Sequence, residues 1–166
     1  MNSRSIIKFL TFFLFIGIQV IILKNLALYN VAFCFIYIGF ILILPIEINR
    51  MILLGIGFIT GFTIDIFYDS MGIHAAATVL LAFIRPYWIN AITPQGGYEI
   101  GGSPTLSQMK FSWFASFVLP IIFMHHFAIF YIEGGFSHFF FTLVKVLLST
   151  IFTFVVLIIA QLLSRK

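Results

Sequence analysis

Two carboxylates, Asp65 and Asp69, stand four residues apart in an apolar stretch and continue the spacing of two glycines, Gly57 and Gly61. At that spacing the four share one slowly drifting stripe of a helix, so a face where another backbone can approach leads directly into acid. A carboxylate inside a membrane segment costs roughly 2.5–3.5 kcal/mol on insertion scales and therefore faces protein or a wet cavity; at the rim it meets water. His74, the neighbours His125 and His126, and Lys145 also lie in or beside apolar runs. Acid and imidazole within a membrane support proton transfer or metal ligation, yet the spacing selects neither. Adjacent histidines project about 100° apart on a helix and cannot ligate from one face; one is expected to face protein and the other to lie near an interface. No HExxH, GxSxG or serine with a histidine placed to activate it occurs. Neither a catalytic residue, a metal site nor a cofactor is expected.

The elements that must position these residues are membrane helices. Of the 166 residues 62% are hydrophobic and 8% charged, and the mean hydropathy is +1.17, against roughly 25% charged in soluble domains. The long apolar runs read as an all-α compact bundle of six transmembrane helices in one domain, over 6–23, 31–46, 51–68, 73–92, 111–132 and 136–163. The first span follows Arg4 and contains Lys8, but no small-residue cleavage site follows, so it reads as a retained helix. Gln19 reads as a helix-contact amide. The single cysteine, Cys34, offers no disulfide framework. Loop 93–110 holds Gly96-Gly97, Gly101-Gly102, Pro94 and Pro104, matches no phosphate-binding pattern, and reads as flexible. Arg85-Pro86-Tyr87-Trp88 ends or kinks the fourth span, with Arg85, Tyr87 and Trp88 suited to the headgroup region. Its opening, Gly72 through Ala75 and Ala76, is small enough to pack on the glycines of the third.

The net charge of +4 comes from basic residues scattered near span ends, which read as topology signals and not as a nucleic-acid patch. With six spans, Arg4, Lys8, Arg50, Arg85, Lys110, Arg165 and Lys166 share one face and Lys24 marks the other, which places both termini in the cytoplasm. That topology gathers Asp65, Asp69, His74 and Lys145 in the outer half as a polar cluster, with Lys145 opposing Asp65.

The run Gly57-Phe58-Ile59-Thr60-Gly61-Phe62-Thr63-Ile64-Asp65-Ile66-Phe67, then Met71-Gly72-Ile73-His74-Ala75-Ala76-Ala77, and Leu81-Ala82-Phe83-Ile84-Arg85-Pro86 resembles the rod shape-determining membrane protein MreD family. The distinctive residues lie between about Gly55 and Pro86; elsewhere the likeness is hydropathic. The resemblance implies a non-enzymatic inner-membrane subunit of the cell-elongation machinery. Its partner would be an MreC-like bitopic protein, with MreB, RodA and its transpeptidase in the larger complex, and Gly57, Gly61, Gly72, Ala75 and Ala76 would supply a helix-packing or partner face. The family's fold is similar to the substrate-binding subunits of energy-coupling-factor transporters, which makes a small-molecule-binding transporter subunit the alternative. The 23 phenylalanines read as lipid-facing bulk.

Overall fold

A computed structural model describes residues 3–164. Helix α1 (Ser3–Gly17) continues in wider π-type turns over Ile18–Leu23. Two short antiparallel strands follow, β1 (Ala27–Leu28) and β2 (Ala32–Phe33), with Ala27 opposite Phe33. Then come α2 (Ile38–Leu42), α3 (Arg50–Tyr68), α4 (Ile73–Ala91), α5 (Phe111–Gly134) and α6 (Phe139–Leu163). Four units are long and apolar enough to cross a membrane: Ile6–Leu23, α3, α5 and α6. Helix α4 equals α3 in length but carries Arg85, Pro86 and Asn90, which lower its hydropathy.

Residues 31–46 are the main departure from expectation, because they do not form a continuous helix. Tyr29 and Asn30 take left-handed backbone conformations, φ 52° and 55°, and turn the chain back. Residues 34–37 then run without regular structure into the short α2. Cys34 through Leu42 are all buried, so this segment is the core around which the long helices stand. Val31, Phe33, Phe35, Ile36 and Tyr37 are β-branched or aromatic and favour extended backbone. Hydropathy alone does not separate a buried extended run from a membrane helix. Such backbone survives at membrane depth only when protein encloses it and supplies its hydrogen bonds.

Side chains on the long helices supply them. Ser149 Oγ accepts from Phe33 N at 2.9 Å and Thr153 Oγ1 from Phe35 N at 3.1 Å. Gln19 Nε2 donates to Cys34 O at 3.1 Å and to Tyr68 OH at 2.6 Å. At the end of α2 and just beyond it, Arg85 donates to Leu42 O at 3.2 Å, to Pro45 O at 3.5 Å and to Leu44 O. Gln19, Ser149, Thr153 and Arg85 thus answer backbone groups of the central segment and of the turn that follows it.

Helices α3 and α4 form the expected tight hairpin. Asn49 caps α3, its Oδ1 accepting from Met51 N and Ile52 N. Asp69 ends it at φ 55°, and Gly72, at φ 91°, leads into α4. A Cβ on Gly57 would stand 3.0 Å from Thr78 O and from Ala82 Cβ; one on Gly61 would strike Thr78 Oγ1 and His74 O and lie 2.5 Å from Ala75 Cα. The glycine face is therefore filled by α4 and is closed to any other helix. Pro120 in α5 lacks the N–H that would bond Ser116 O; that carbonyl accepts instead from Trp88 Nε1 at 3.0 Å. Loop 93–110 is tied down as well: Ile46 N donates to Gly102 O at 3.0 Å, Tyr98 OH to Ile89 O at 2.8 Å, and Leu106 N to Gln161 Oε1 at 3.4 Å.

Candidate functional site

Asp65, His74, His125, His126 and Lys145 gather toward one end of the bundle, where α3 and α5 finish and α4 and α6 begin. They divide there into a helix cap, a buried hydrogen-bonded relay and a cavity. The cap is Asp65. The first turn of α4 has free N–H groups and its preceding residue, Gly72, has no side chain to satisfy them. Asp65 reaches across from α3: Oδ1 accepts from His74 N at 3.0 Å and from Ser70 Oγ at 2.6 Å, and Oδ2 accepts from Ala75 N at 2.9 Å. A carboxylate at the positive end of a helix compensates much of its own desolvation. Asp65 is therefore committed to α4 and does not pair with Lys145. Asp69 is exposed at the turn and stays out of the cluster, because its left-handed backbone breaks the helical register that would align it with Asp65.

The relay is built on Tyr37 of the central segment. Its hydroxyl lies 2.8 Å from His74 Nδ1 and 2.9 Å from His125 Nε2. Behind it, His126 Nδ1 lies 2.8 Å from Ile122 O, which fixes that nitrogen as a donor, and Nε2 lies 3.1 Å from Thr153 Oγ1. Both His125 and His126 are fully buried, so neither lies at an interface. The ring of Phe35 stands among the three imidazoles, at 5.3 Å from His74, 6.1 Å from His125 and 5.2 Å from His126. Nothing in the sequence spacing joins these residues; the central segment brings Tyr37 and Phe35 to histidines from two different helices. Among the described residues no group of three His, Cys, Asp or Glu side chains is placed to hold a metal ion.

The cavity, about 230 Å³, is lined by His74, Tyr68, Lys24, Lys145, Glu133 and the rings of Phe33, Phe35 and Phe130, among others. Lys145 Nζ stands over two of these rings, 4.6 Å from the centroid of Phe33 and 4.5 Å from that of Phe130. His74 and Lys145 thus line one chamber.

At the opposite end, Arg85 corrects a second expectation. Its side chain is 0% exposed and its bonds among the described residues go to carbonyls at the end of α2 and just after it, not to a headgroup region. A planar fork of donors suits several converging carbonyls, and the C-terminal end of a helix favours a cation. Tyr87 is 50% exposed, with the Arg50 guanidinium 5.0 Å from its ring centroid, and Trp88 clamps α4 to α5.

Between α3 and α4, on the outer side of the hairpin, lies an open groove of about 630 Å³. Gly72, Ala75, Ala76 and Val79 contribute from α4 and its approach; Phe58, Phe62 and Ile66 contribute from α3. Phe58 and Phe62 stack at 5.7 Å with an 11° angle between their planes.

Fold and site together define a helical membrane protein whose polar residues serve an enclosed central segment. No protein-family model, curated protein or solved structure matches the chain.

Proposed function

We propose that this protein is a non-enzymatic subunit of the bacterial inner membrane, which docks the transmembrane helix of an MreC-like bitopic scaffold and helps position lateral peptidoglycan synthesis. The observation that carries the reading is the groove between α3 and α4. Its small residues admit a close helix backbone and its stacked phenylalanines form a wall against which side chains interdigitate. The resemblance to the MreD family lies in the same hairpin. Asp65, Gly61 and Arg85 are spent on holding that hairpin and the central segment, which leaves the groove to the partner. The larger complex would contain MreB, RodA and its transpeptidase.

The proposed arrangement crosses the membrane six times, similar to the energy-coupling-factor substrate subunits, with the central segment as one crossing. Its start is near the Tyr68 end, where Lys24 Nζ donates to Phe67 O at 2.6 Å, and its finish is at Arg85. Both termini then lie on the cytoplasmic side, in agreement with the basic residues.

The test is mass spectrometry of proteins recovered with the tagged chain in mild detergent. Ala76 is exposed on the groove floor, so Ala76→Phe is expected to reduce recovery of the bitopic scaffold about tenfold while the protein stays folded; one lost helix contact of 1.4 kcal/mol gives that factor. Unchanged recovery places the contact elsewhere. A second reading, a small-molecule-binding subunit of an energy-coupling-factor transporter, is favoured by the aromatic-lined cavity. Its signature would be recovery of ATP-binding-cassette coupling subunits instead of wall-synthesis enzymes.

A further inference from the structure

The cavity at the Tyr68 end has hydrogen-bond donors in excess, and their direction follows from the groups around them. Tyr37 OH has one proton and lies between His74 Nδ1 and His125 Nε2, while His125 Nδ1 is buried with no partner. If Tyr37 donated to His125, the neutral ring would leave a buried N–H orphaned at Nδ1, which costs more than an orphaned acceptor. The relay therefore runs from His125 Nε2–H to Tyr37 oxygen, and from Tyr37 O–H to His74 Nδ1. This puts the remaining proton of His74 on Nε2. That atom makes no hydrogen bond among the described residues, and His74 lines the cavity.

Tyr68 adds a second donor. Its oxygen accepts from Gln19 Nε2, whose orientation is set by Cys34 O, so the phenolic proton has no acceptor among the described residues. Lys145 adds a third, with a full charge: it is half-buried, stands over two rings, and makes no hydrogen bond or ion pair among the described residues. Lys24 is occupied with Phe67 O, and Ser70 donates to Asp65. Among the described residues the only carboxylate lining the chamber is Glu133, which is exposed.

We propose that this cavity binds an anionic group, a carboxylate or phosphate, through Lys145, the Nε2–H of His74 and the hydroxyl of Tyr68, with Phe33, Phe35 and Phe130 against the ligand's body. At about 230 Å³ it falls below the roughly 300–1,000 Å³ of pockets for drug-sized molecules, so it suits a small acid or a single lipid headgroup. The proposal gives the second reading above its ligand chemistry. Anion binding by the isolated protein and recovery of coupling subunits are separate measurements, so the two fail separately.

The experiment uses the whole protein in phosphatidylcholine nanodiscs. Its thermal midpoint is measured against benzoate, with benzyl alcohol as the uncharged counterpart and sodium chloride at equal ionic strength. In a second arm the discs are doped with phosphatidylglycerol. A saturable rise with benzoate identifies a soluble acid as the source, and a rise confined to the doped discs identifies a headgroup. Either response is expected to weaken about tenfold in Lys145→Gln, the factor that about 1.4 kcal/mol gives, and to persist in Lys145→Arg, which keeps a charged donor. Glu133→Gln, on an exposed side chain, is expected to tighten the same anion about twofold by removing a like charge; it decides the matter if Lys145→Gln does not fold. Equal responses to benzoate and benzyl alcohol with none in the doped discs, or equal responses in Lys145→Gln and the unaltered protein, or no effect of Glu133→Gln, overturn the proposal.

Discussion

Asp65 is the residue on which the hairpin depends, since its two oxygens satisfy donors that α4 cannot satisfy itself. Asp65→Ala leaves two buried backbone N–H groups without acceptors. It is expected to destabilise by roughly 2–4 kcal/mol, read as a lower thermal midpoint in detergent, whereas Asp65→Asn, which keeps one acceptor, should lose about half as much. Arg85 makes the corresponding case at the other end. Arg85→Lys preserves charge but has no planar fork to span Leu42, Leu44 and Pro45, so most of the effect of Arg85→Met should appear in the lysine variant too. An Arg85→Lys protein as stable as the original would show that charge alone suffices there. The sequence singled out Asp65 as an acid that must face protein or a wet cavity and set Arg85 at the headgroups, and it disclosed the partners of neither. Spacing along one helix cannot disclose a backbone carbonyl forty residues earlier, and an intramembrane acid facing a distant lysine is indistinguishable by pattern from one facing a helix end.

At the scale of elements, the glycine stripe tests whether the hairpin is a packing device. Gly61→Ala inserts a methyl group into Thr78, His74 O and the Ala75 backbone, and separation of α3 from α4 should cost roughly 1–3 kcal/mol, as overpacking of a rigid contact does. Gly55, in the same helix, has open space where its Cβ would lie; Gly55→Ala is expected to be neutral or to stabilise by up to about 1 kcal/mol through helix propensity. Equal thermal midpoints for the two variants would remove the close approach from the argument. The hairpin was legible because small residues at four-residue spacing on one segment faced a small-residue start on the next. The central segment was not, because Val31 through Leu44 are as apolar as any membrane helix. Its answering groups, Gln19, Ser149 and Thr153, are scattered over the π-type turns after α1 and over α6 with no local signal. Their shared purpose appears only when an unpaired backbone is seen beside them.

For the whole molecule, the separation of Asp65 from Lys145 and the direction of the bundle in the membrane both have measurable consequences. Since Asp65 caps α4 and Lys145 stands over aromatic rings, Asp65→Asn and Lys145→Met should be additive in stability within about 0.5 kcal/mol; a coupling larger than that would restore the pairing that the sequence arrangement proposed. Direction is tested with thiols. Cys34 is 1% exposed, so the native cysteine is protected and single introduced cysteines report their own surroundings. Met71, 100% exposed in the turn between α3 and α4, and Ile100, 93% exposed in the loop between α4 and α5, lie at opposite ends of α4. Under the proposed orientation, which puts the basic ends of the spans in the cytoplasm, Met71→Cys in intact spheroplasts is expected to react with a membrane-impermeant maleimide. Ile100→Cys should react only after the membrane is opened. The reverse pattern would turn the bundle over, place the Lys145 cavity on the cytoplasmic side, and make a cytoplasmic metabolite the first anion to try there.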